Sequence, residues 1–215
     1  MSHIICDGRS VPVEGQVVLP GQHGLRFRKW TNWRPRKGSV DRIVLHWTGG
    51  EGGGQQVFNT LKRRGLSIHF VVDGAGGIWQ FLDPASDHAY HAGRIENPRS
   101  VGIEVTCYGF RVIRPAPAKG ADRKIYSCTI HGRSRCVADY RPAQHKAVHA
   151  LCSVLCNSLA IPRRVHIDPR RCLSVAERAP LAGVIGHYHV SPRKLDPGTR
   201  PLILLRDRWG DGAMS

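Results

Sequence analysis

Two hydrophobic periods, one of about two residues and one of about 3.6, alternate along this chain and set out its elements. Arg42-Ile-Val-Leu-His-Trp47 is a nearly continuous apolar run bounded by Gly49-Gly50, which predicts a buried central strand. From Gly54 to Arg64, Val57, Phe58 and Leu61 fall at helical spacing, with Lys62, Arg63 and Arg64 in the last turn and Gly65 as terminator. Ser67–Val72 and Ile78–Leu82 flank Asp73-Gly74 and read as a hairpin. In Val101–Val105, Val101, Ile103 and Val105 share one face of a strand, leaving Gly102 and Glu104 on the other. Pro142–Leu159 predicts the clearest helix, with Pro near its first turn and a stripe of Val148, Leu151, Cys152, Leu155 and Leu159. Gly183–His187 is a further strand, followed by a loop over His189–Arg200 and a short helix over Pro201–Trp209. Strands interleaved with helices imply an α/β fold, a single domain with a central mixed β-sheet flanked by helices.

Two segments interrupt this pattern. Residues 1–30 read as an irregular N-terminal extension carrying short strands at Val11–Val13 and Gln16–Leu19. Residues 110–141 hold Pro115, Pro117 and Gly132 between short apolar stretches, and read as an inserted hairpin within a domain over 31–209. No apolar run approaches the roughly 20 residues that would span a bilayer, so no transmembrane segment is expected. The opening Met-Ser-His-Ile-Ile-Cys-Asp-Gly-Arg has no basic leader followed by an apolar stretch. Synthesis in the cytoplasm without a signal peptide is therefore the expectation.

Charge changes the picture more than composition does. A formal net charge of +16 predicts attraction to polyanions: nucleic acid, anionic lipid, or the acidic glycans of a bacterial envelope. The 32 Lys and Arg are scattered, with short clusters only at Arg34–Lys37, Lys62–Arg64, Arg163–Arg164 and Arg170–Arg171. Zinc-finger spacing, an RNP-type aromatic strand and a basic zipper are all missing, so no nucleic-acid partner is expected. Seven cysteines cannot all pair within one chain, and no C-x-x-C occurs. Mostly free thiols are expected, with a Cys128–Cys136 bridge across the inserted hairpin as the alternative.

Twelve histidines make any single one uninformative, so position decides. His46 ends a buried strand, where a polar ring needs a partner, and a hydrogen-bonded core histidine is as natural there as a ligand. His187 also ends a strand, and Asp196 follows nine residues later. Two histidines and one carboxylate leave one position open for water, the pattern of a catalytic zinc. Spacing alone leaves this one proposal among several.

The segments Ile43-Val-Leu-His-Trp-Thr48, Ser67-Ile-His-Phe-Val-Val-Asp73, Ala89-Tyr-His-Ala-Gly93, Ser100-Val-Gly-Ile-Glu-Val105 and Gly186-His-Tyr-His-Val-Ser-Pro-Arg-Lys-Leu-Asp-Pro-Gly198 resemble, in order, those of the amidase-2 family. That family includes phage endolysins, cytoplasmic anhydromuropeptide amidases and peptidoglycan recognition proteins. The resemblance covers roughly residues 40–200. It implies zinc-dependent hydrolysis of the amide between N-acetylmuramic acid and L-alanine, with Zn2+ held by His46, His187 and Asp196 in a groove at the strand ends. Some members carry Cys as the last ligand, where this chain has Asp196. Recognition proteins that have lost catalysis usually lack that ligand, which disfavours a non-catalytic peptidoglycan-binding module. The resemblance also implies Glu104 as general base and Lys194 as the oxyanion partner. Phage-type members often place a catalytic Tyr before the second-strand His; this chain has Ile68 there, which puts the weight on Glu104. His69, His91 and Asn97 are candidate substrate-binding residues, while His88, His145, His149 and His166 are read as ordinary. A monomer acting on peptidoglycan or muropeptides is implied. A phage or prophage endolysin, reaching the wall after release from the host cytoplasm, is the first role expected, and a cytoplasmic recycling amidase is the second. The charge suits an anionic envelope surface as a further partner.

Overall fold

The computed structural model describes residues 1–21, 32–112 and 123–210. Twelve strands run β1 (Ser2–Cys6), β2 (Arg9–Val13), β3 (Val17–Val18), β4 (Arg34–Pro35), β5 (Arg42–Trp47), β6 (Phe70–Val72), β7 (Ile78–Gln80), β8 (Asp87–His88), β9 (Ser100–Val105), β10 (Ile125–Ile130), β11 (Arg133–Ala138) and β12 (Gly183–Gly186). Four α-helices among the described residues, α1 (Gly54–Arg63), α2 (Pro142–Ser158), α3 (Val175–Arg178) and α4 (Arg200–Trp209), accompany them. The central sheet is six-stranded in the order β12-β5-β9-β6-β7-β3. Its first four strands are parallel neighbours, β7 turns back antiparallel to β6, and β3 lies parallel to β7. Among the described residues, no helix is long and apolar enough to cross a membrane.

Alternation along the parallel strands separates two faces. Ile43 and Leu45 of β5 and Val101, Ile103 and Val105 of β9 point into the main core, where Val148, Leu151, Cys152 and Leu155 of α2 and Leu202 and Leu205 of α4 cover them. The opposite face is covered by α1, whose Val57, Phe58 and Leu61 pack on Val71, Phe81 and Leu82. Between that cluster and the small patch of Val44, Ala92 and Ile185, this face stays open over the ends of β5, β9 and β12.

The extension is more ordered than its reading as irregular. β1 and β2 form a hairpin with Ser2 opposite Val13, and its turn residues Asp7 and Gly8 sit at φ 55° and 67°. That is the Asp-Gly two-residue turn, whose positive φ values match the twist of the flanking strands. Ile4 is fully buried in the main core, β3 extends the central sheet, and Gln80 holds the β1 backbone at Ile5 by donating to its carbonyl and accepting from its amide. Residues 22–30 of the expected extension lie outside the described residues. The inserted hairpin is present as β10–β11, turning at His131-Gly132; its stretch with Pro115 and Pro117 lies outside the described residues. Cys128 faces inward opposite Arg135, whereas Cys136 is exposed opposite Ser127, so the two thiols lie on different faces. All seven cysteines are free.

The head of β5 holds a residue whose environment the apolar run conceals. Arg42 is fully buried, and so is Glu96. Arg42 Nη1 donates to Glu96 Oε2 at 2.8 Å, Arg178 Nε donates to Glu96 Oε1 at 2.7 Å, and Arg42 Nη2 donates to the Arg178 carbonyl at 3.0 Å. One carboxylate therefore neutralises two buried guanidinium groups. Arg42 keeps a second carboxylate, Asp41, whose Oδ1 accepts from its Nε at 2.9 Å, but Arg178 has no other among the described residues. Glu96→Ala therefore leaves one buried charge uncompensated and is expected to cost about 3–5 kcal/mol of stability. Urea denaturation measures this, and a loss below about 1 kcal/mol would contradict the burial argument.

Candidate metal centre and groove

The parallel order β12-β5-β9 brings three strand ends side by side on the open face. His46 stands next to last on β5, Glu104 lies opposite it in register on β9, and His187 directly follows β12. Open α/β sheets collect ligands at the carboxyl ends of parallel strands for this topological reason. Asp196 is delivered by the loop that follows β12, where the Tyr188 amide donates to the Asp196 carbonyl at 3.1 Å. His46 Nδ1 and His187 Nδ1 are 2.9 Å apart, and Asp196 Oδ2 lies 3.2 Å from the first and 2.9 Å from the second. All three residues are buried, and together they are the one group suited to a metal ion among the described residues. Ligands about 2.0–2.1 Å from a tetrahedral zinc stand roughly 3.3 Å apart, so this triangle of two nitrogens and one carboxylate oxygen fits the ion closely.

A hydrogen-bonded relay supports His46 from behind. Its Nε2 is 3.0 Å from His91 Nδ1, His91 Nε2 is 3.2 Å from Ser100 Oγ, and Ser100 Oγ donates to the Glu96 carbonyl at 2.7 Å. Read from that last fixed donor, each proton in the chain points away from His46, which leaves Nδ1 as a lone pair facing Asp196 and His187. Gly102 makes room for the relay, because a Cβ there would come within 2.7 Å of the His91 ring. His91→Phe keeps the ring but removes the acceptor. It is expected to weaken zinc affinity by roughly 10–100-fold in chelator competition, and unchanged affinity would refute the relay's role.

The protonation states suit a cation. Burial first, then the neighbouring His187, lower the His46 pKa to about 4, keeping it neutral. Burial alone would raise the Asp196 carboxyl, but the attraction and hydrogen bond of His187 outweigh it and hold the group well below the usual carboxylate range. Glu104 behaves oppositely: burial, then repulsion from Asp196, push it up to about 8, against the pull of Lys194 and Arg64. Its Oε2 is buried without a hydrogen-bond partner among the described residues. The groove above has a volume of about 560 Å³. His46, His187, Asp196 and Glu104 line it, with Trp47, Tyr108 and Phe110 among its walls and Arg64, Arg193 and Lys194 as its cations.

The family model described as N-acetylmuramoyl-L-alanine amidase matches residues 36–199. The chain belongs to this amidase family. No curated protein sequence matches the chain. Among solved structures, the endolysin amidase LysCS from Clostridium intestinale is similar at 16% identity and TM-score 0.57, covering 90% of this chain and 95% of that one. A selenomethionine derivative of AmpD is similar at 19% identity and TM-score 0.51, covering 89% and 94%. AmiD from E. coli, in complex with anhydro-N-acetylmuramic acid-L-Ala-D-gamma-Glu-L-Lys, is 22% identical with TM-score 0.47; the match covers 74% of this chain and 52% of AmiD, so this chain spans about half of that relative's length. The first two likenesses show the same fold.

In this amidase the residues singled out from sequence divide into two groups. His46, His187, Asp196, Glu104, Lys194 and His91 all line the groove. His69 and Asn97 do not: His69 is fully buried beside His91, its Nδ1 accepting from the Gly102 amide at 3.0 Å and its Nε2 3.2 Å from Arg36 Nη2. Asn97 Oδ1 accepts from the His91 and Ala92 amides at 3.1 and 2.7 Å, so it shapes the loop that carries His91 and stands back from the groove. Ser100 and Arg64 escaped the sequence reading. Ser100 shares the alternate face of β9 with Gly102 and Glu104, a signal that parity offered, whereas Arg64 looked like one more solvated helix-end cation.

Proposed function

We propose that this amidase is a zinc enzyme that hydrolyses the bond between N-acetylmuramic acid and L-alanine in polymeric peptidoglycan. The observation that carries the proposal is the buried triangle of His46 Nδ1, His187 Nδ1 and Asp196 Oδ2, with sides of 2.9–3.2 Å, on the floor of an open groove. A zinc ion held there supplies Lewis acidity, which polarises the scissile carbonyl and acidifies water. Glu104, aligned with His46 across two strands, accepts the proton of the attacking water and returns it to the leaving amine. The charge of a zinc ion in the triangle would draw the Glu104 carboxyl down from about 8, into the range where it can first accept and then return a proton. Lys194 at the groove wall brings a positive charge to the oxygen on which negative charge develops.

The wall polymer is favoured over a small muropeptide by charge. A formal charge of +16 exceeds what one stem peptide needs and suits a polyanionic envelope, as in a phage or prophage lysis enzyme. Mass spectrometry of products from intact sacculi beside soluble anhydromuropeptide tests this. Release of stem peptides from sacculi is expected, and cleavage of the small substrate alone would assign a recycling role.

A further inference from the structure

The inserted hairpin β10–β11 is a separate two-stranded sheet, and none of its residues lines the groove. Yet the segment from Tyr126 to Tyr140 reaches the backbone beside each of the three candidate ligands. Tyr140 Oη donates to the carbonyl of His46 itself at 3.4 Å. His131 Nε2 lies 2.9 Å from the carbonyl of Tyr188, the residue after His187, and the His131 amide donates to the Pro169 carbonyl at 2.8 Å. The Tyr126 hydroxyl packs over Gly198, two residues beyond Asp196, where a Cβ would run into it. Asp139 Oδ2 accepts from Arg200 Nε at 2.5 Å, closing the same loop from its far side.

The turn is shaped for this contact. His131 sits at φ 52°, a left-handed conformation uncommon for any residue but Gly, though less so for His, Asn and Asp. Tyr140 is 5% exposed, so its hydroxyl cannot turn to solvent if the His46 carbonyl moves. The ligands come from two distant parts of the chain, His46 on β5 and His187 with Asp196 after β12, and the hairpin together with Tyr140 just past its second strand touches both.

We propose that this hairpin braces the metal centre, with Tyr126, His131 and Tyr140 as positioning residues that hold the backbone of His46, His187 and Asp196 at ligand spacing. The proposal rests on the zinc reading above. Donor atoms must be held within about 0.5 Å to bind a metal well, and groups that fix a ligand's orientation matter nearly as much as the ligand.

The test is the zinc dissociation constant of the full chain, measured by competition with a chromophoric chelator. Tyr126→Phe, His131→Ala and Tyr140→Phe are each expected to weaken zinc binding by roughly 10–100-fold. At saturating zinc, kcat should recover and KM for muropeptide should stay at the wild-type value. His131→Gln keeps a donor at the turn and should return affinity toward wild type, while Thr129→Ala on the exposed face should change nothing. Variants that melt earlier yet bind zinc as tightly as wild type would overturn the brace and leave the zinc reading standing. A wild-type chain that binds no zinc would overturn both.

Discussion

His187→Ala is expected to release zinc and to lower cleavage of the muramyl–L-alanine bond by roughly 10³-fold or more, since the Lewis acid is worth several kcal/mol to the transition state. The size of the effect follows from how the site is made. His187 Nδ1 touches both other donors, at 2.9 Å from His46 Nδ1 and 2.9 Å from Asp196 Oδ2, so its loss opens the triangle on two sides. Asp196 also loses a partner that keeps its buried carboxylate ionised. Zinc content by atomic emission and release of stem peptide from sacculi measure the two effects together. Circular dichroism separates them from unfolding. If the variant keeps both its zinc and its rate, His187 is not a ligand.

Glu104→Gln should leave zinc at one ion per chain and lower kcat by roughly 10²–10⁴-fold, the usual contribution of a positioned proton acceptor. A second consequence follows from the raised pKa. The unfolded carboxyl ionises near its ordinary value of 4.5, whereas the folded one holds its proton to about 8. Between those values the folded state binds more protons, so this group's contribution is full below 4.5 and is lost as pH rises through about 8. In metal-stripped protein, Glu104→Gln is therefore expected to flatten the fall of melting temperature across that window. An unaltered slope would show that Glu104 does not carry the shift.

These two residues also show what the chain discloses of its own accord. Strand alternation put Glu104 on the face opposite Val101, Ile103 and Val105, and the sheet keeps it there, aligned with His46. Helix periodicity placed α1 and α2 within a residue of their observed ends. Both patterns are local, since they arise where neighbours in sequence share one solvent environment. The pairing of Arg42 with Glu96 and of Glu96 with Arg178 is not local, for these partners lie 54 and 82 positions apart. Nothing in an apolar run headed by one Arg announces that its charge is met inside the protein. His69 illustrates the same limit from the other side. It precedes a buried strand as His46 lies within one, yet its imidazole is spent on the Gly102 amide and Arg36 and reaches the groove only through the edge of the His91 ring, 5.8 Å away. Asn97 likewise spends its carbonyl oxygen on two amides of the His91 loop. Ordered family motifs point to segments, and only the packed structure separates the side chains that face the groove from those that hold its wall.

The metal triangle joins positions 46, 187 and 196, separated along the chain by as much as 150 residues. Such a site has no partial form. A growing chain on the ribosome cannot assemble it until residue 196 has emerged, so the proposed hydrolysis would begin only after the loop that follows β12 has folded back onto β5. Thermodynamic linkage then works in the other direction. Zinc at 100 times its dissociation constant would add about 2.7 kcal/mol to global stability, because no shorter segment binds it in the same way. Zinc supply would thus govern how long the folded chain survives as well as whether it cuts.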